Sequence, residues 1–477
     1  MKARHSPGVL LAIALAGCTL GPDYRRPEVT VPAGWRIGPT ELAAISNAAW
    51  WDQFQDPSLT RLVRAALSGN LDLEIATARV DQAFAQFGIA RSAQLPQVDA
   101  GASAARLRGS ENALPKGGEP FNDFVLGLSA SFEIDVWGRL RRETEAARAT
   151  LLATEEGRRT VILTLVASVA DGYIQLRSLD RQLEIARSTS ASLDEAARLQ
   201  RRRFEEGVVP ESDYRQAQAQ FQAAAAQIPE LERLIARQEN FINVLIGTNP
   251  GPIERGLEID ALAFPAPPEG LPADLLERRP DIREAEQGLV AANADIGAVK
   301  AAYFPRIGLT ALLGLRSAAL SQLFEGPSRT WSYGVGASLP VLDGGRIGGQ
   351  VAQAEAVKRE AVATYRKSII AAFGEVENAL VDRARFAQTR DAQAINVTAL
   401  QRFRDLAALR YREGATIYLE VASAEQSLFN AQLTYAATQS QLFQSYANLY
   451  KAMGGGWVSE AQKLAVIAAP PPPVRRP

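Results

Sequence analysis

The sequence predicts a membrane β-barrel joined to an all-α region, with the whole pattern laid down twice along the chain. Three observations carry this reading: an internal repeat, two stretches of about 65 residues that read as single helices, and four segments that alternate with period two.

The repeat is visible as short matched motifs. Leu95-Pro96 recurs as Phe304-Pro305, Arg203-Phe204-Glu205-Glu206-Gly207 as Arg410-Tyr411-Arg412-Glu413-Gly414, and Leu245-Ile246-Gly247 as Ala452-Met453-Gly454. Each copy runs in the order shorter helix, strand, loop, strand, very long helix, turn, helix.

In the first copy, residues 58–95 are rich in Ala, Gln and Arg with no internal proline, and 139–203 continue helically over roughly 100 Å at 1.5 Å per residue. Their counterparts in the second copy are 278–304 and 347–412. Ile162, Val169, Leu176 and Leu183 are spaced by seven, and Val421, Leu428, Tyr435, Leu442 and Leu449 repeat the spacing near the C-terminus. Such a stripe belongs to the wall of a helix bundle, not to a site.

Between the helices lie the alternating segments 97–107, 124–137, 306–315 and 332–341. In the second, Leu126, Leu128, Ala130, Phe132, Ile134 and Val136 share one face, while Gly127, Ser129, Ser131, Glu133 and Asp135 share the other. Runs of about 10 residues, apolar on one side and polar on the other, suit strands that face lipid outward and water inward. A soluble sheet with one buried face would alternate in the same way. Aromatic placement favours the membrane, because Phe124 and Trp331 lie at the loop ends and Trp137, Tyr303 and Phe304 at the helix ends, as two girdles would. Four strands cannot close a barrel, and an open edge in lipid leaves backbone groups unpaired, so other subunits must complete it.

Residues 7–16 form a short apolar run after Lys2 and Arg4, which predicts a signal peptide over 1–17. The run ends in Leu15-Ala16-Gly17-Cys18, similar to a lipobox, and Cys18 is the sole cysteine among 477 residues. Cys18 is thus the expected lipidation site, carrying N-acyl and S-diacylglycerol groups, and Thr19 after it matches sorting to the outer membrane. His5 is the sole histidine and lies in the signal peptide, so catalytic triads or metal sites that use His are excluded from the mature chain. A formal charge of -1 gives no footprint for nucleic acid. The reading is of a non-enzyme with no cofactor beyond the covalent lipid. Labelled palmitate should therefore enter the wild-type protein and not Cys18→Ser, and label persisting in the variant would refute the anchor.

The chain resembles the TolC-like outer-membrane efflux channels, in the lipoprotein branch that includes OprM and NodT. The residues that carry this are Gly21-Pro22-Asp23-Tyr24 after Cys18, Trp50-Trp51, Phe54 and Asp56-Pro57, and Phe132-Glu133-Ile134-Asp135-Val136-Trp137-Gly138-Arg139. In the second copy they are Arg279-Pro280-Asp281-Ile282, Tyr303-Phe304-Pro305 and Leu339-Pro340-Val341-Leu342-Asp343-Gly344-Gly345-Arg346. The resemblance implies a homotrimer in which four strands per protomer make one twelve-stranded barrel, continuous with a periplasmic coiled-coil tube. It implies an inner-membrane resistance-nodulation-division transporter and a periplasmic adaptor as partners, with outer-membrane lipid around the barrel.

On that basis the chain divides into an N-terminal lipidated and equatorial segment over 18–57, repeats over 58–247 and 278–454, a Pro-rich connector over 248–277, and a C-terminal equatorial segment over 455–477 with a disordered Pro-rich end. Position by position, the resemblance places the periplasmic gate at Leu419, Glu420 and Ser423, where Ser423 stands in place of an acidic ring residue. Gate-closing links fall on Tyr411 and Asp213, with Arg412 a substitute for a bridging arginine at Thr416. Two alternatives stay open on sequence alone: a channel for one-step protein secretion, and a periplasmic helical scaffold that is no channel. A soft-metal efflux channel is weakened by the absence of a methionine ladder, since only Met1 and Met453 are present.

Overall fold

The computed structural model describes residues 19–36, 49–112, 118–265 and 272–454, together with 458 and 461. Cys18, the predicted signal peptide and the Pro-rich end lie outside these residues.

In chain order the elements are α1 (Pro57–Gly69), α2 (Leu71–Ser92), β1 (Gln97–Leu107), β2 (Phe121–Ile134), α3 (Arg139–Glu205), α4 (Glu211–Ala225), α5 (Gln227–Leu245), α6 (Leu275–Arg278), α7 (Pro280–Lys300), β3 (Arg306–Ser317), β4 (Arg329–Ser338), α8 (Arg346–Arg412) and α9 (Tyr418–Ala452). Among the described residues no helix is long and apolar enough to cross a membrane.

The expected helix over 58–95 is two helices. Asn70 ends the first, and its side chain both caps Leu73 N–H at 2.9 Å and donates to the Leu245 carbonyl at 2.9 Å, so the break joins the two ends of the first repeat. Arg279, before α7, makes the matching contact in the second repeat by donating to the Ala452 carbonyl at 2.9 Å. The first repeat's return helix is likewise divided at Ala226, just before Pro229, whose missing N–H is tolerated only in a first helical turn. The proline-free α9 runs unbroken for 35 residues.

The strands form one antiparallel sheet in the order β1-β2-β3-β4. Two lie three residues earlier than the spacing predicts, at 121–134 in place of 124–137 and 329–338 in place of 332–341. The cause is the start of each long helix. Asp135 accepts from the backbone N–H groups of Leu140 at 3.2 Å and Arg141 at 2.9 Å, so it is a helix cap and not a ladder residue. In the second repeat Pro340 cannot donate to the ladder, and Asp343 accepts from the N–H groups of Gly345 at 3.0 Å and Ile347 at 2.8 Å. Those backbone donors hold the Asp343 carboxyl below its usual range.

The register puts the apolar residues together. Leu126, Leu128, Ala130, Phe132 and Ile134 stand opposite Leu315, Leu313, Ala311, Leu309 and Ile307, and the last three of β3 reach Tyr333, Val335 and Ala337 on β4. One face of the sheet is thus apolar across all four strands. On its edge strand Trp331 and Tyr333 are 66% and 80% exposed, with their rings stacked at 5.7 Å, a surface that water alone would not select.

The chain forms two compact units. The sheet lies in the one built from Ala78–Glu155, Glu284–Arg366 and the N-terminal segment up to Val29. Here the residues just after Cys18 are clipped down: Leu20 N–H donates to the Trp137 carbonyl at 3.1 Å, and Arg142 reaches the Leu20 carbonyl at 3.2 Å and Asp23 at 2.8 Å. Gly138, at φ +76°, leaves room for Thr19, which a Cβ would meet at 2.8 Å.

The other unit takes in Thr30–Thr77, Glu156–Arg283 and the chain from Lys367 onward. Its core gathers Trp50, Trp51, Phe54, Leu59 and Val63 with Ile162, Val166, Val169 and Tyr173 of α3 and Phe443 of α9. The Pro-rich connector contributes Ile259 and Leu262 to this core, and the C-terminal segment contributes Val458 and Ala461. Asp56 is the polar pin. Buried, it accepts from Ser58 N–H at 2.8 Å, the Tyr173 hydroxyl at 2.8 Å and Leu257 N–H at 3.0 Å, while that hydroxyl accepts from Gly256 N–H at 2.8 Å. Burial and the carboxylate beside it push the Tyr173 hydroxyl's pKa up.

Candidate functional site

Two helix turns in this second unit form the site. Each begins with a glycine in the left-handed region, Gly207 at φ +74° and Gly414 at φ +73°, where a side chain would be strained. In each, the next residue's N–H bonds back five residues: Val208 to the Arg203 carbonyl and Ala415 to the Arg410 carbonyl, both at 2.8 Å. The repeated motif thus encodes the same turn twice, and the residues around the two turns can be matched one to one. Asp213 of the first corresponds to Glu420 of the second, and Phe204 to Tyr411.

Beneath the turns the two hairpins pack through small side chains. Ala197, Ala217, Tyr418 and Ala422 form a buried cluster, with Phe221, Tyr411 and Val421 against it. Gln220 donates to the Ala422 carbonyl at 2.8 Å and ties α4 to α9. Tyr411 and Tyr418 meet edge to face at 5.6 Å, and burial raises the Tyr418 pKa to about 12, with Tyr411, Glu425 and Asp213 adding to the shift.

The hydroxyl of Tyr411 is the link between hairpins, but its partners differ from those expected. Gln200 Nε2 donates to it at 2.9 Å and Arg203 Nη1 at 3.0 Å, with the Arg203 guanidinium 5.6 Å from the ring centre. Asp213 does not pair with Tyr411. Its carboxylate accepts from Ser212 at 3.3 Å and lies near enough to Tyr418 to raise that phenol's pKa. The reason is length: a short aspartate in the first turn of α4 stays beside its own hairpin, whereas Arg203 and Gln200 on α3 have the reach to cross. In the first repeat the residue matching Tyr411 is Phe204, which has no hydroxyl and stacks on Tyr214 at 6.1 Å. The link therefore exists once per chain.

Glu420 is held from within its own hairpin. Arg410 donates to Glu420 Oε1 at 2.8 Å, and the Thr416 hydroxyl donates to the other oxygen. Arg412 is exposed and, two residues after Arg410, points to another face of the helix. Sequence reasoning quoted Arg203 and Arg410 as part of the repeat motif without giving either a role. Their shared place, four residues ahead of a capping glycine and ten ahead of an acid, was the available signal. Gln200 carried none.

Leu419 is 52% exposed and Ser423, four residues on along α9, is also exposed, so both look away from the protomer's own core. Among the described residues no group of His, Cys, Asp and Glu is arranged to hold a metal. The site offers an apolar residue, an acid paired with an arginine, and a hydrogen-bonded link between hairpins.

Comparison with known proteins agrees with this geometry. Residues 62–248 and, again, 271–455 match the family described as outer membrane efflux protein. The toluene efflux pump outer membrane protein TtgC of Pseudomonas putida is 37% identical over 472 residues, covering 96% of this chain and 97% of that protein. The solved outer-membrane channel OprN superposes with a TM-score of 0.85 at 32% identity, over 92% of this chain and 100% of its own. The Campylobacter jejuni CmeC outer membrane channel does so with a TM-score of 0.88 at 27% identity, over 95% and 99%. Matched through both repeats and along nearly its whole length, this chain belongs to the outer membrane efflux protein family.

Proposed function

We propose that three copies of this chain assemble into one twelve-stranded barrel and a helical conduit that carries drugs or other small molecules passively out of the cell. A resistance-nodulation-division transporter would supply the energy and a periplasmic adaptor would join the two, while lipid on Cys18 adds an anchor. The single observation that carries the reading is the open, four-stranded sheet with one face apolar except at the strand ends remote from the helices. Its edges also fit each other in size. β1 presents Val98, Ala100, Ala102 and Ala104 on that face, and β4 presents Trp331, Tyr333 and Val335, so bulky side chains of one protomer meet small ones of the next. Closing β1 against β4 of a neighbour pairs every edge group and removes the exposed ladder.

The turns containing Gly207 and Gly414 would take the adaptor, and three copies of Leu419 would meet at the axis as the gate. Cys18 is the chain's sole cysteine and S-linked lipid would convert its thiol to a thioether, so the closure is testable by cross-linking between introduced cysteines. Ala102→Cys on β1, combined in turn with cysteine at Trp331, Tyr333 and Val335 on β4, should yield a ladder of oxidised species ending at the trimer for at least one pair. Monomer alone in all three combinations would contradict the assembly.

A further inference from the structure

Seven charged side chains lie in the four strands, and the register sorts them sharply between the two faces. Asp99, Asp123, Glu133, Arg306 and Arg316 all lie on the polar face, where Arg316 pairs with Asp123 at 2.8 Å. The apolar face carries no acid and only two charges, Arg106 and Arg329. Both stand at the strand ends remote from the helices, Arg106 one residue before the end of β1 and Arg329 at the start of β4. Arg106 donates to Asn122 at 3.2 Å, and among the described residues neither arginine has a carboxylate partner.

β1 and β4 are the two edges of the sheet, so closure of the barrel would set the end of β1 that carries Arg106 beside the end of the next copy's β4 that carries Arg329, on the lipid side. Two guanidinium groups side by side with no acid repel each other unless an anion lies between them, and a planar guanidinium matches phosphate with paired donors. Arginine on a lipid face is costly at mid-membrane and cheap at the interface, which is where both are placed.

We infer that each seam between subunits binds an outer-leaflet glycolipid, with Arg106 and Arg329 clamping its phosphorylated headgroup and its acyl chains lying over the apolar face below them. The inference rests on the trimeric reading above, and the test separates the two. Purified protein in neutral detergent is titrated with a bisphosphorylated diglucosamine lipid, and bound lipid is counted by native mass spectrometry. Up to three lipids per wild-type trimer are expected. Arg106→Ala with Arg329→Ala should remain trimeric and bind about tenfold more weakly, the loss expected for charge-assisted contacts, while Arg316→Ala on the polar face binds as wild type. The single variants Arg106→Gln and Arg329→Gln should each fall between the two. Competition by inorganic phosphate as effective as by the glycolipid would overturn the lipid as the occupant. A trimeric double variant that binds like wild type, or equal loss in Arg316→Ala, would overturn the site and leave the assembly intact. A wild-type protein that is monomeric would overturn both.

Discussion

Combining Leu419→Ala with Tyr411→Phe should raise single-channel conductance and sensitise cells to large antibiotics such as vancomycin. The two changes act on different parts of the closed state. Leu419 is half exposed in its own protomer, so in the proposed trimer trimming it would remove apolar contact at the axis with little cost to the protomer's fold. Loss of the Tyr411 hydroxyl leaves Gln200, only 2% exposed, and Arg203 without their shared acceptor across the hairpins. A hydrogen bond contributes about 0.5 to 1.5 kcal/mol net, so one link lost in each of three protomers shifts the closed state by roughly 1.5 to 4.5 kcal/mol if the three add. That is about one to three powers of ten in the open-to-closed ratio. Phe204 shows that this turn accommodates an aromatic ring without a hydroxyl, so the protein should still fold. Glu420→Gln should alter cation preference less than an unpaired acid would, because Arg410 and Thr416 already hold its carboxylate. A folded trimeric double variant with wild-type conductance would show that the latch and Leu419 do not set the gate.

Gly256→Ala should strongly destabilise the fold, by about 3 kcal/mol or more. Its Cβ would stand 2.0 Å from Asp56 Oδ1, and Asp56 has no room to retreat from the buried core around Trp50 and Trp51. Moving the carboxylate breaks its bonds to Ser58 N–H, Leu257 N–H and the Tyr173 hydroxyl together, and leaves a buried charge without compensation. The check is chemical unfolding of the purified protein, with the level of folded protein in the outer membrane as a second readout. Stability within about 0.5 kcal/mol of wild type would show that Asp56 does not pin this core.

Much of the fold was legible because period-two and helical patterns are long here and the repeat states them twice. The end of β2 was not, because Asp135 keeps alternation going after the backbone has already turned, and only its capping role reveals the boundary. The break at Asn70 was hidden for the same kind of reason: its side chain bonds a carbonyl 175 residues away, which no local pattern records. At the site, the turns and the exposure of Leu419 follow from the glycines and the helical spacing. The partners of Tyr411 do not, since Gln200 and Arg203 lie on a different helix and matter only through the crossing of two hairpins. Asp56-Pro57 could be read as a helix start, yet its bonds to Tyr173 and Leu257 required the fold.

The most direct test of the channel account is electrical. Purified protein of trimeric mass, placed in planar bilayers, should give discrete conductance steps that grow when Leu419→Ala and Tyr411→Phe are introduced together. A trimer that inserts and keeps its β-sheet signal, yet shows no steps in either form, would contradict it.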